Sequence, residues 1–536
     1  MKQSMGSSSW AAWLAGVGAC VCFSASGGAS VVVGDGAGGV SGLGDVTDRL
    51  VNLGNLVATQ GRGPRNASQP DFRPLSGRAR NVWDLQSHQG KVYLGGGNTT
   101  TNPGPINLWA FDHAAGAFGD APERVIQSEA IENFRIFNGE LVVPNHDPVS
   151  GDGLKFDRLG SDGVWRSFGG SPNLAHVRDM ARLDDGTLVL VGNSRRPDPA
   201  LDFDENGALV VTQVGQPGAA VSLDNGQTFT SAVDTVRTAA DLIDAVNNAT
   251  GSGGIGPLEA FSNWFFSAFT YQDRVFATTI RLNAFPDSPA TPDFAPGVLE
   301  YDQATGEFVA GINGDDASSG LGLFDSQLVN LSSGAFPELQ TTVFDPDTGQ
   351  DVPVNLGTQV ALTVRTSVEY NDVLVYAVNT HSPFFDTRRD YYRNSFDFYV
   401  KASLEADPVS VRFADLDARG EDVIEFDGVL YALANARQDD GSYVVYVYET
   451  IDPVDPDGWD EVLRFVSDNL ARSFERIDNT FYFGLGYDEV AGDEIGDAGA
   501  LLAVLIPEPG SAAVLLPALV WLAMRRTPTR RSSAAE

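Results

Sequence analysis

Cysteine is almost absent from this 536-residue chain, since only Cys20 and Cys22 occur and both lie near the N-terminus. They fall in an apolar stretch that we predict to be removed, so the remaining protein would have no disulfide framework, thiol nucleophile or cysteine zinc site. Histidine is scarce too, with five residues and no His-x-His or His-Glu-x-x-His spacing. A histidine-rich metal site is therefore not expected. Nucleophile-elbow, P-loop and dinucleotide-binding motifs are also missing.

Positive charge is the second shortage. The chain has 35 lysines and arginines against 71 aspartates and glutamates, a formal net charge of −36, and only four of the bases are lysines. Nucleic acids and anionic lipid surfaces are recognised through basic patches, so we expect neither as a partner. An acidic surface suits cation-rich surroundings and metal binding, and it also suits solubility alone.

The N-terminus has the features of a secretory signal peptide. Residues 1–9 are polar, Trp10–Phe23 are apolar, and small residues follow at Ser24–Gly27. The apolar run is too short for a comfortable membrane span, and we predict removal of residues 1–26. An alternative is lipidation of Cys20, because Val17–Cys20 loosely resembles a lipobox.

The C-terminus combines a proline-rich break, an apolar run and arginines. Pro507 and Pro509 flank Glu508, the run from Ser511 to Met524 is apolar, and arginines follow. The arginines are Arg525, Arg526, Arg530 and Arg531. Positive charge stays on the cytoplasmic side, which would place the body of the protein outside. As a helix the run would span roughly 21 Å, less than the ~30 Å hydrocarbon core, which suits transient insertion better than permanent anchoring.

This order of features resembles the PEP-CTERM sorting signal of Gram-negative bacteria. The matching segment is 506–531, with Pro507, Glu508, Pro509, Arg525 and Arg526 as its sorting residues. The resemblance implies export, transient insertion of the C-terminal helix, recognition by an exosortase and delivery to the cell surface or extracellular matrix. An ordinary C-terminal anchor is the alternative.

A hairpin pattern recurs along the middle of the chain. It consists of an apolar strand, a short turn and a second apolar strand, and its turns centre near residues 90, 139, 186, 273, 372, 428 and 479. Because glycine tolerates positive φ, Asn138-Gly139 and Asp427-Gly428 predict tight hairpin turns. Further hairpins are visible at Trp109–Phe118 and Leu299–Phe308.

Seven such units predict an all-β protein, a β-propeller of about seven four-stranded blades. We assign the propeller to residues 81–505 and treat 27–80 as a segment leading into the first blade. A β-sandwich or a pair of β domains is the alternative. Residues 234–250 have helical periodicity and predict a short helical insertion, packed on the propeller or free to bind a partner.

One repeat unit contains an additional short motif. Ser222-Leu223-Asp224-Asn225-Gly226-Gln227-Thr228-Phe229 resembles the Asp-box of sialidase-like propellers. In that family the motif is a structural hairpin turn, which implies that Asp224 braces the turn and that Phe229 packs inward.

Two segments are candidate ligand sites. Asp202, Asp204 and Asn206 place oxygen ligands on a tight loop, which suits Ca²⁺, although Gln213 stands where an EF-hand has glutamate. A solvated acidic turn is the alternative. The segment from His381 to Arg393 concentrates aromatic and basic side chains that suit an acidic glycan, or that form local ion pairs. Its candidate residues are His381, Arg388, Arg389, Tyr391, Tyr392 and Arg393.

We therefore expect an exported surface propeller that binds polysaccharide without catalysis, with calcium as a candidate cofactor. The alternatives are a glycan hydrolase of sialidase-like type and a structural matrix component. Phe134-Arg135-Ile136-Phe137 vaguely resembles a sialidase stretch, but phenylalanine replaces its proline. Since this stretch lies inside a repeat unit, we expect Phe134 and Ile136 in the core.

Overall fold

The computed structural model describes residues 43–55, 81–97, 105–146, 148, 154–169, 174–194, 200–203, 209–213, 217–232, 258–284, 293–310, 340–345, 350–355, 361–381, 398–411, 418–455, 458–486 and 497–506. In these ranges the chain is almost entirely β-strand, with one 3-10 helix at Thr47–Arg49. No helix in the described ranges is long and apolar enough to cross a membrane.

The strands are numbered along the chain, and two come before the first blade: β1 (Gly44–Asp45) and β2 (Val51–Gly54). Blade 1 comprises β3 (Leu85–His88), β4 (Lys91–Leu94), β5 (Ile106–Asp112) and β6 (Ala117–Phe118), and β7 (Arg124–Ile126) also pairs with β5. Blade 2 comprises β8 (Arg135–Phe137), β9 (Glu140–Pro144), β10 (Leu154–Leu159) and β11 (Trp165–Gly169). Blade 3 comprises β12 (Leu174–Arg182), β13 (Leu188–Ser194), β16 (Pro217–Ser222) and β17 (Thr230–Ser231), with an inserted hairpin of β14 (Ala200–Phe203) and β15 (Leu209–Gln213).

The remaining blades follow the same plan. Blade 4 comprises β18 (Leu258–Tyr271), β19 (Arg274–Ala284), β20 (Asp293–Asp302) and β21 (Glu307–Ala310), and a hairpin of β22 (Gln340–Asp345) and β23 (Gln350–Asn355) follows it. Blade 5 comprises β24 (Ala361–Tyr370), β25 (Val373–His381), β26 (Phe398–Lys401) and β27 (Val409–Val411). Blade 6 comprises β28 (Ala418–Phe426), β29 (Val429–Arg437), β30 (Tyr443–Thr450) and β31 (Asp460–Ser467). Blade 7 comprises β32 (Ala471–Ile477), β33 (Thr480–Leu485) and β34 (Leu501–Leu505), with β2 as its fourth strand.

The chain is thus a seven-bladed β-propeller, so the predicted all-β propeller of about seven blades is confirmed, whereas the predicted helices lie outside the described residues. The seven predicted turns are the connections between the first and second strands of the seven blades, and the two further predicted hairpins are β5–β6 and β20–β21. Positive φ angles occur where the turn chemistry requires them, at Asn138 (52°) with Gly139 (71°) and at Asp427 (53°) with Gly428 (75°).

The N-terminal segment closes the ring. β2 lies antiparallel to β34, the last strand of the propeller, and β1 lies parallel to β31 of blade 6. Arg49 donates a hydrogen bond through Nη2 to the Leu505 carbonyl oxygen at 2.7 Å. This segment therefore belongs to blades 6 and 7, a role that its sequence did not indicate.

The core lies between blades. The buried apolar side chains of the described residues form seven clusters, and each cluster joins two neighbouring blades, including blades 7 and 1. In the cluster between blades 7 and 1, Tyr482 and Leu501 pack with Val82, Leu85 and Val92. Each blade is therefore stabilised by burial against both neighbours, which holds only when the ring is closed.

The connections divide the molecule into two faces. We name the strands of each blade A to D from the centre outward. Because neighbouring strands are antiparallel, the A–B and C–D turns lie on the same face of the propeller. We call this face the turn face. The A–B turns have two residues in six of the seven blades. The B–C and D–A connections share the opposite face, here called the mouth face, and the β14–β15 and β22–β23 hairpins are insertions in two of them.

Candidate functional site

The A strands of all seven blades line a central cavity of about 610 Å³. Strand A begins at the mouth face, so the first residues of each A strand surround the cavity opening on that face, here called the channel mouth. One polar residue per blade occupies an equivalent position in or just before strand A. It lies six residues before the second residue of each two-residue A–B turn, and seven residues before Gly186 in the longer turn of blade 3. These residues are Asp84, Asn133, Asp179, Ser267, Thr366, Asp422 and Ser473.

Three aspartates at this position connect neighbouring blades. Asp84 accepts a hydrogen bond from the backbone N–H of Phe134 at 2.7 Å. Asp179 accepts one from Ala268 at 2.8 Å. Asp422 completes the set by accepting the N–H of Phe474 at 3.2 Å. In each case the donor follows the equivalent position of the next blade, so the carboxylates fix the register between blades.

The residue before this position is displaced by a β-bulge in five blades. The register shifts between Val177 and Asp179, Phe265 and Ser267, Val364 and Thr366, Gly420 and Asp422, and Ala471 and Ser473. The displaced residues are Arg178, Phe266, Arg365, Glu421 and Arg472. A bulge leaves one residue unpaired and re-aims its side chain. Of the displaced residues, Arg178, Phe266 and Arg365 line the cavity.

Glycines make room for these bulges. A Cβ on Gly486 would lie 2.4 Å from both Cγ and Nε of Arg472. A Cβ on Gly192 would lie 2.1 Å from the His176 carbonyl oxygen and 2.9 Å from the Arg178 nitrogen. Blades 3 and 7 therefore have glycine in or directly after strand B, where the chain passes a displaced arginine.

Two of the displaced arginines, Arg365 and Arg472, are held in place by their neighbours. Arg365 forms an ion pair with Glu421 at 3.3 Å and donates to the carbonyl oxygen of Arg472 at 2.6 Å. Arg472 donates through Nε to Asn81 at 2.7 Å, and its guanidinium lies 4.8 Å from the centroid of the Trp83 ring. These charge-assisted hydrogen bonds and the ring contact fix the positions of both guanidinium groups.

Blades 2 and 3 contribute a second polar group. His146 lies 3.2 Å from Glu132 through Nε2 and also contacts Arg178. Arg135, which begins strand A of blade 2, donates through Nη2 to Asp179 at 2.6 Å. Among the described residues, no group of three or more His, Cys, Asp or Glu side chains is arranged to hold a metal ion.

Three carboxyl groups of the cavity wall have raised pKa values. Burial raises the pKa of Asp84 to about 6, against the opposing effect of the Phe134 N–H and of Arg135. Burial, with the nearby charge of Asp84, raises the pKa of Asp422 to about 8. Burial likewise raises the pKa of Glu475 to about 8, although Ser87 hydrogen-bonds to it. At neutral pH, Asp422 and Glu475 are therefore mainly protonated and can both donate and accept hydrogen bonds.

The Asp-box is confirmed as a structural turn. It forms the C–D connection of blade 3, where Asp224 accepts hydrogen bonds from the N–H and the hydroxyl of Thr228 at 2.8 and 2.6 Å. Phe229 packs against the core cluster between blades 2 and 3, with its ring centroid 6.2 Å from that of Phe156. A Cβ on Gly226 would meet the Phe156 ring at 2.9 Å, which explains the motif's glycine.

One prediction about the Phe134–Phe137 stretch was wrong. Phe134 is buried, as expected, but Ile136 is 39% exposed and lines the cavity. The stretch belongs to strand A of blade 2, the innermost strand of the blade, so its residues lie beside the central cavity even though Phe134 also packs in the cluster between blades 1 and 2. Arg135 consequently belongs to the cavity wall.

Most of the predicted site residues lie outside the described part of the chain. These are Pro507, Glu508, Pro509, Arg525, Arg526, Asp204, Asn206, Arg388, Arg389, Tyr391, Tyr392 and Arg393. Asp202 lies in β14 and His381 ends β25, but their side chains are not described. The predicted helix at 234–250 and the signal peptide at 1–26 also lie outside the described residues.

The cavity residues were missed, although a signal was present. Aligning the seven repeats on their turns places a polar residue at the same distance before nearly every turn. The sequence analysis used the turns only to count blades, and did not compare the positions before them.

Comparisons with known proteins identify no family. No protein-family model matches the chain, and no curated protein matches it significantly. The polysaccharide lyase Uly1 aligns with a TM-score of 0.37 at 10% identity, over 86% of this chain and 98% of that chain. YCF48 from Cyanidioschyzon merolae aligns at 0.33 and 11%, over 79% and 95%. Virginiamycin B lyase from Staphylococcus aureus aligns at 0.31 and 6%, over 80% and 96%. Likenesses this distant carry no argument about activity.

Proposed function

We propose that this chain is an exported β-propeller that an exosortase-type enzyme sorts to the cell surface or extracellular matrix, where it binds polysaccharide without cleaving it. Export is supported by the apolar run Trp10–Phe23 within residues 1–26. Sorting is supported by Pro507-Glu508-Pro509, the apolar run after it and the terminal arginines.

The observation that carries the binding role is the polar cavity on the propeller axis. Its volume of about 610 Å³ lies within the ~300–1,000 Å³ of small-molecule sites. All seven A strands contribute to its wall, so its shape is determined by the closed ring and not by a loop. Side chains in rigid strands hold a ligand more precisely than side chains in loops.

The wall suits a neutral ligand rich in hydroxyl groups. Its carboxyl groups outnumber its guanidinium groups, which disfavours an anion inside the cavity. The carboxyl residues are Asp84, Glu132, Asp179, Asp422, Glu425 and Glu475, and the arginines are Arg135, Arg178 and Arg365. A sugar hydroxyl can donate to an ionised carboxylate and accept from an arginine or a protonated carboxyl group. Phe266 and Phe426 add apolar surface for the sugar ring.

The segment from His381 to Arg393 extends this proposal to acidic polysaccharide. It connects β25 to β26, whose joined ends lie at the mouth face. Arg388, Arg389 and Arg393 would supply positive charge that the cavity lacks, and Tyr391 and Tyr392 would supply stacking surfaces. Calcium, bound by Asp202, Asp204 and Asn206, remains a proposed cofactor of the same face.

A plugged cavity tests the binding role. Ser367 lies on the cavity wall in strand A of blade 5, so Ser367→Trp would place a large side chain in the cavity and obstruct it. Val409, 50% exposed on strand D of the same blade, provides the matched control Val409→Trp. Retention on neutral, uronic and sialylated polysaccharides would be measured with calcium or with a chelator, after circular dichroism confirms that both variants fold.

We expect Ser367→Trp to lose retention on neutral polysaccharide and Val409→Trp to keep it. Equal retention by both variants would rule out the cavity as the site. Arg388→Ala with Arg389→Ala should lower retention of uronic or sialylated chains only. Loss of retention in chelator, reproduced by Asp202→Ala with Asp204→Ala, would support the calcium role.

A glycan hydrolase is the second candidate, and one observation favours it. The pKa of Asp84, about 6, lies below the pKa values of about 8 for Asp422 and Glu475 in the same cavity. Carboxyl groups with separated pKa values can act as base and acid in glycoside hydrolysis. Release of reducing ends that is lost in Asp84→Asn and Glu475→Gln would establish this candidate over the binding role.

A further inference from the structure

The direction of the last strand determines where the C-terminal tail leaves the propeller. β34 is strand C of blade 7, so it runs from the mouth face to the turn face. Ile506, the last described residue, is buried, and its N–H donates to the Asn479 carbonyl oxygen at 2.6 Å. Asn479 belongs to the A–B turn of blade 7, so the chain leaves the body at the turn face.

The connection between this exit point and the apolar run is short. Only residues 507–510 separate Ile506 from Ser511. Even fully extended, five steps of the chain reach at most about 18 Å. β34 is paired on both sides, by β33 and β2, and Arg49 holds the Leu505 carbonyl oxygen, so the body contributes no extra length without breaking these bonds.

We propose that the membrane-inserted tail holds the turn face toward the bilayer and so directs the channel mouth away from it. This inference rests on the proposed function, because it requires the apolar run to insert. Its consequence is that the cavity opening and the long connections of the mouth face are presented to ligands outside the membrane while the tail is uncleaved.

The charge of the turn face limits how closely it approaches the lipid. The described A–B and C–D turns contain no lysine or arginine but many acidic residues, namely Asp162, Asp184, Asp185, Asp224, Asp273, Asp372, Glu405, Asp407, Asp427, Asp452, Asp455 and Asp478. Anionic lipid repels such a surface over a distance of about one Debye length, ~8–10 Å at physiological salt. The tail therefore determines the orientation, and adhesion of the turn face does not.

Two introduced cysteines in blade 6 can measure this orientation. Asp439 lies in the exposed B–C turn at the mouth face, and Ile451, 58% exposed, lies in the C–D connection at the turn face. They flank β30, whose eight residues separate them by roughly 26 Å along the strand. Cys20→Ser and Cys22→Ser leave Asp439→Cys or Ile451→Cys as the only thiol.

The full chain with each cysteine would carry a fluorescent donor and be reconstituted into phosphatidylcholine vesicles containing a headgroup-linked acceptor. We expect energy transfer from Ile451→Cys to be several-fold larger than from Asp439→Cys. Phosphatidylglycerol at low salt should reduce transfer from Ile451→Cys, and high salt should restore it. Insertion of a flexible Gly/Ser linker of about 20 residues after Ile506 should remove most of the difference.

The outcomes separate this inference from the function on which it rests. Equal transfer from both positions, or larger transfer from Asp439→Cys, with the protein still bound to vesicles, would overturn the orientation and leave membrane insertion standing. Failure of the full chain to bind vesicles, matching a variant that lacks residues 511–524, would overturn both.

Discussion

At the scale of single residues, the same carboxylate position serves both the fold and the cavity. Asp84, Asp179 and Asp422 each accept an N–H from the next blade while facing the central cavity. Asp179 also accepts from the Met180 N–H at 2.7 Å and pairs with Arg135. A buried carboxylate is costly unless its oxygens are satisfied, and here some of the satisfying groups, Ala268 and Arg135 for Asp179, belong to neighbouring blades.

Replacing Asp179 should therefore destabilise the propeller. Asp179→Ala would leave the Ala268 N–H without its acceptor and Arg135 without its counter-ion. We expect a loss of about 3–5 kcal/mol in the free energy of unfolding, measured by denaturant titration. Asp162→Ala is the control, since the Asp162–Arg166 pair is about half exposed and should contribute almost nothing. Comparable losses in both variants would contradict the inter-blade role.

The raised pKa of Glu475 predicts a pH dependence of stability. The folded state holds this proton more tightly than the unfolded chain, because the pKa of about 8 exceeds the ordinary value of 4.5. The stabilising contribution is complete below the unfolded pKa and is lost as the pH rises towards 8. Glu475→Gln should thus lessen the fall in melting temperature between about pH 5 and pH 8.

Asp162→Asn is the control for that pH series. Its hydrogen bonds with Arg166 lower the pKa of Asp162 to about 2, so this carboxyl group stays ionised across the series. The variant should show the wild-type slope. A Glu475→Gln slope identical to that of the wild type would show that Glu475 does not take up the proton.

At the scale of elements, each hairpin is specified locally but each bulge depends on its partner strand. The tight turns follow from residues that tolerate positive φ, such as Asn138 and Gly139. This is why the seven turns and the Asp-box could be predicted from short stretches of sequence. The bulges at Arg178 and Arg472 could not, because a strand with a bulge has no distinctive local composition, and the space for it comes from Gly192 and Gly486.

Gly486→Ala tests this dependence of the bulge on glycine. The added Cβ would lie 2.4 Å from Cγ and Nε of Arg472 and would displace that side chain. We expect a loss of about 1–3 kcal/mol in the free energy of unfolding, as for other overpacked sites. In an Arg472→Ala background the same change should cost much less, since the obstructing atoms are gone. An undiminished cost in that background would contradict the proposed contact.

At the scale of the whole molecule, stability depends on closing the ring. β2, from the N-terminal segment, completes blade 7 beside β34, and its Leu53 packs against the cluster between blades 7 and 1. A closed ring leaves no blade with an unpaired neighbour, and β1 extends the edge of blade 6 at β31. The first two described strands, β1 and β2, therefore pair with blades 6 and 7, the last two blades of the chain.

Deletion of residues 43–54 should disrupt this closure. It removes β1, β2 and Arg49, which exposes the edge of β34 and part of the cluster between blades 6 and 7. We expect a broad, less cooperative thermal transition and concentration-dependent aggregation, measured by calorimetry and light scattering. Deletion of residues 27–42 is the control and should keep a single sharp transition. The same sharp transition in both deletions would contradict the closing role.

The sequence by itself determined the hairpins, their turns and the number of blades, because each depends on residues that are neighbours in the chain. Only the tertiary structure decided what those hairpins enclose. Asp84, Asp422 and Glu475 are separated by long stretches of chain, and they share a cavity because seven equivalent strands converge on one axis. Their raised pKa values follow from that convergence, since burial and neighbouring charges are properties of the closed ring and not of any segment.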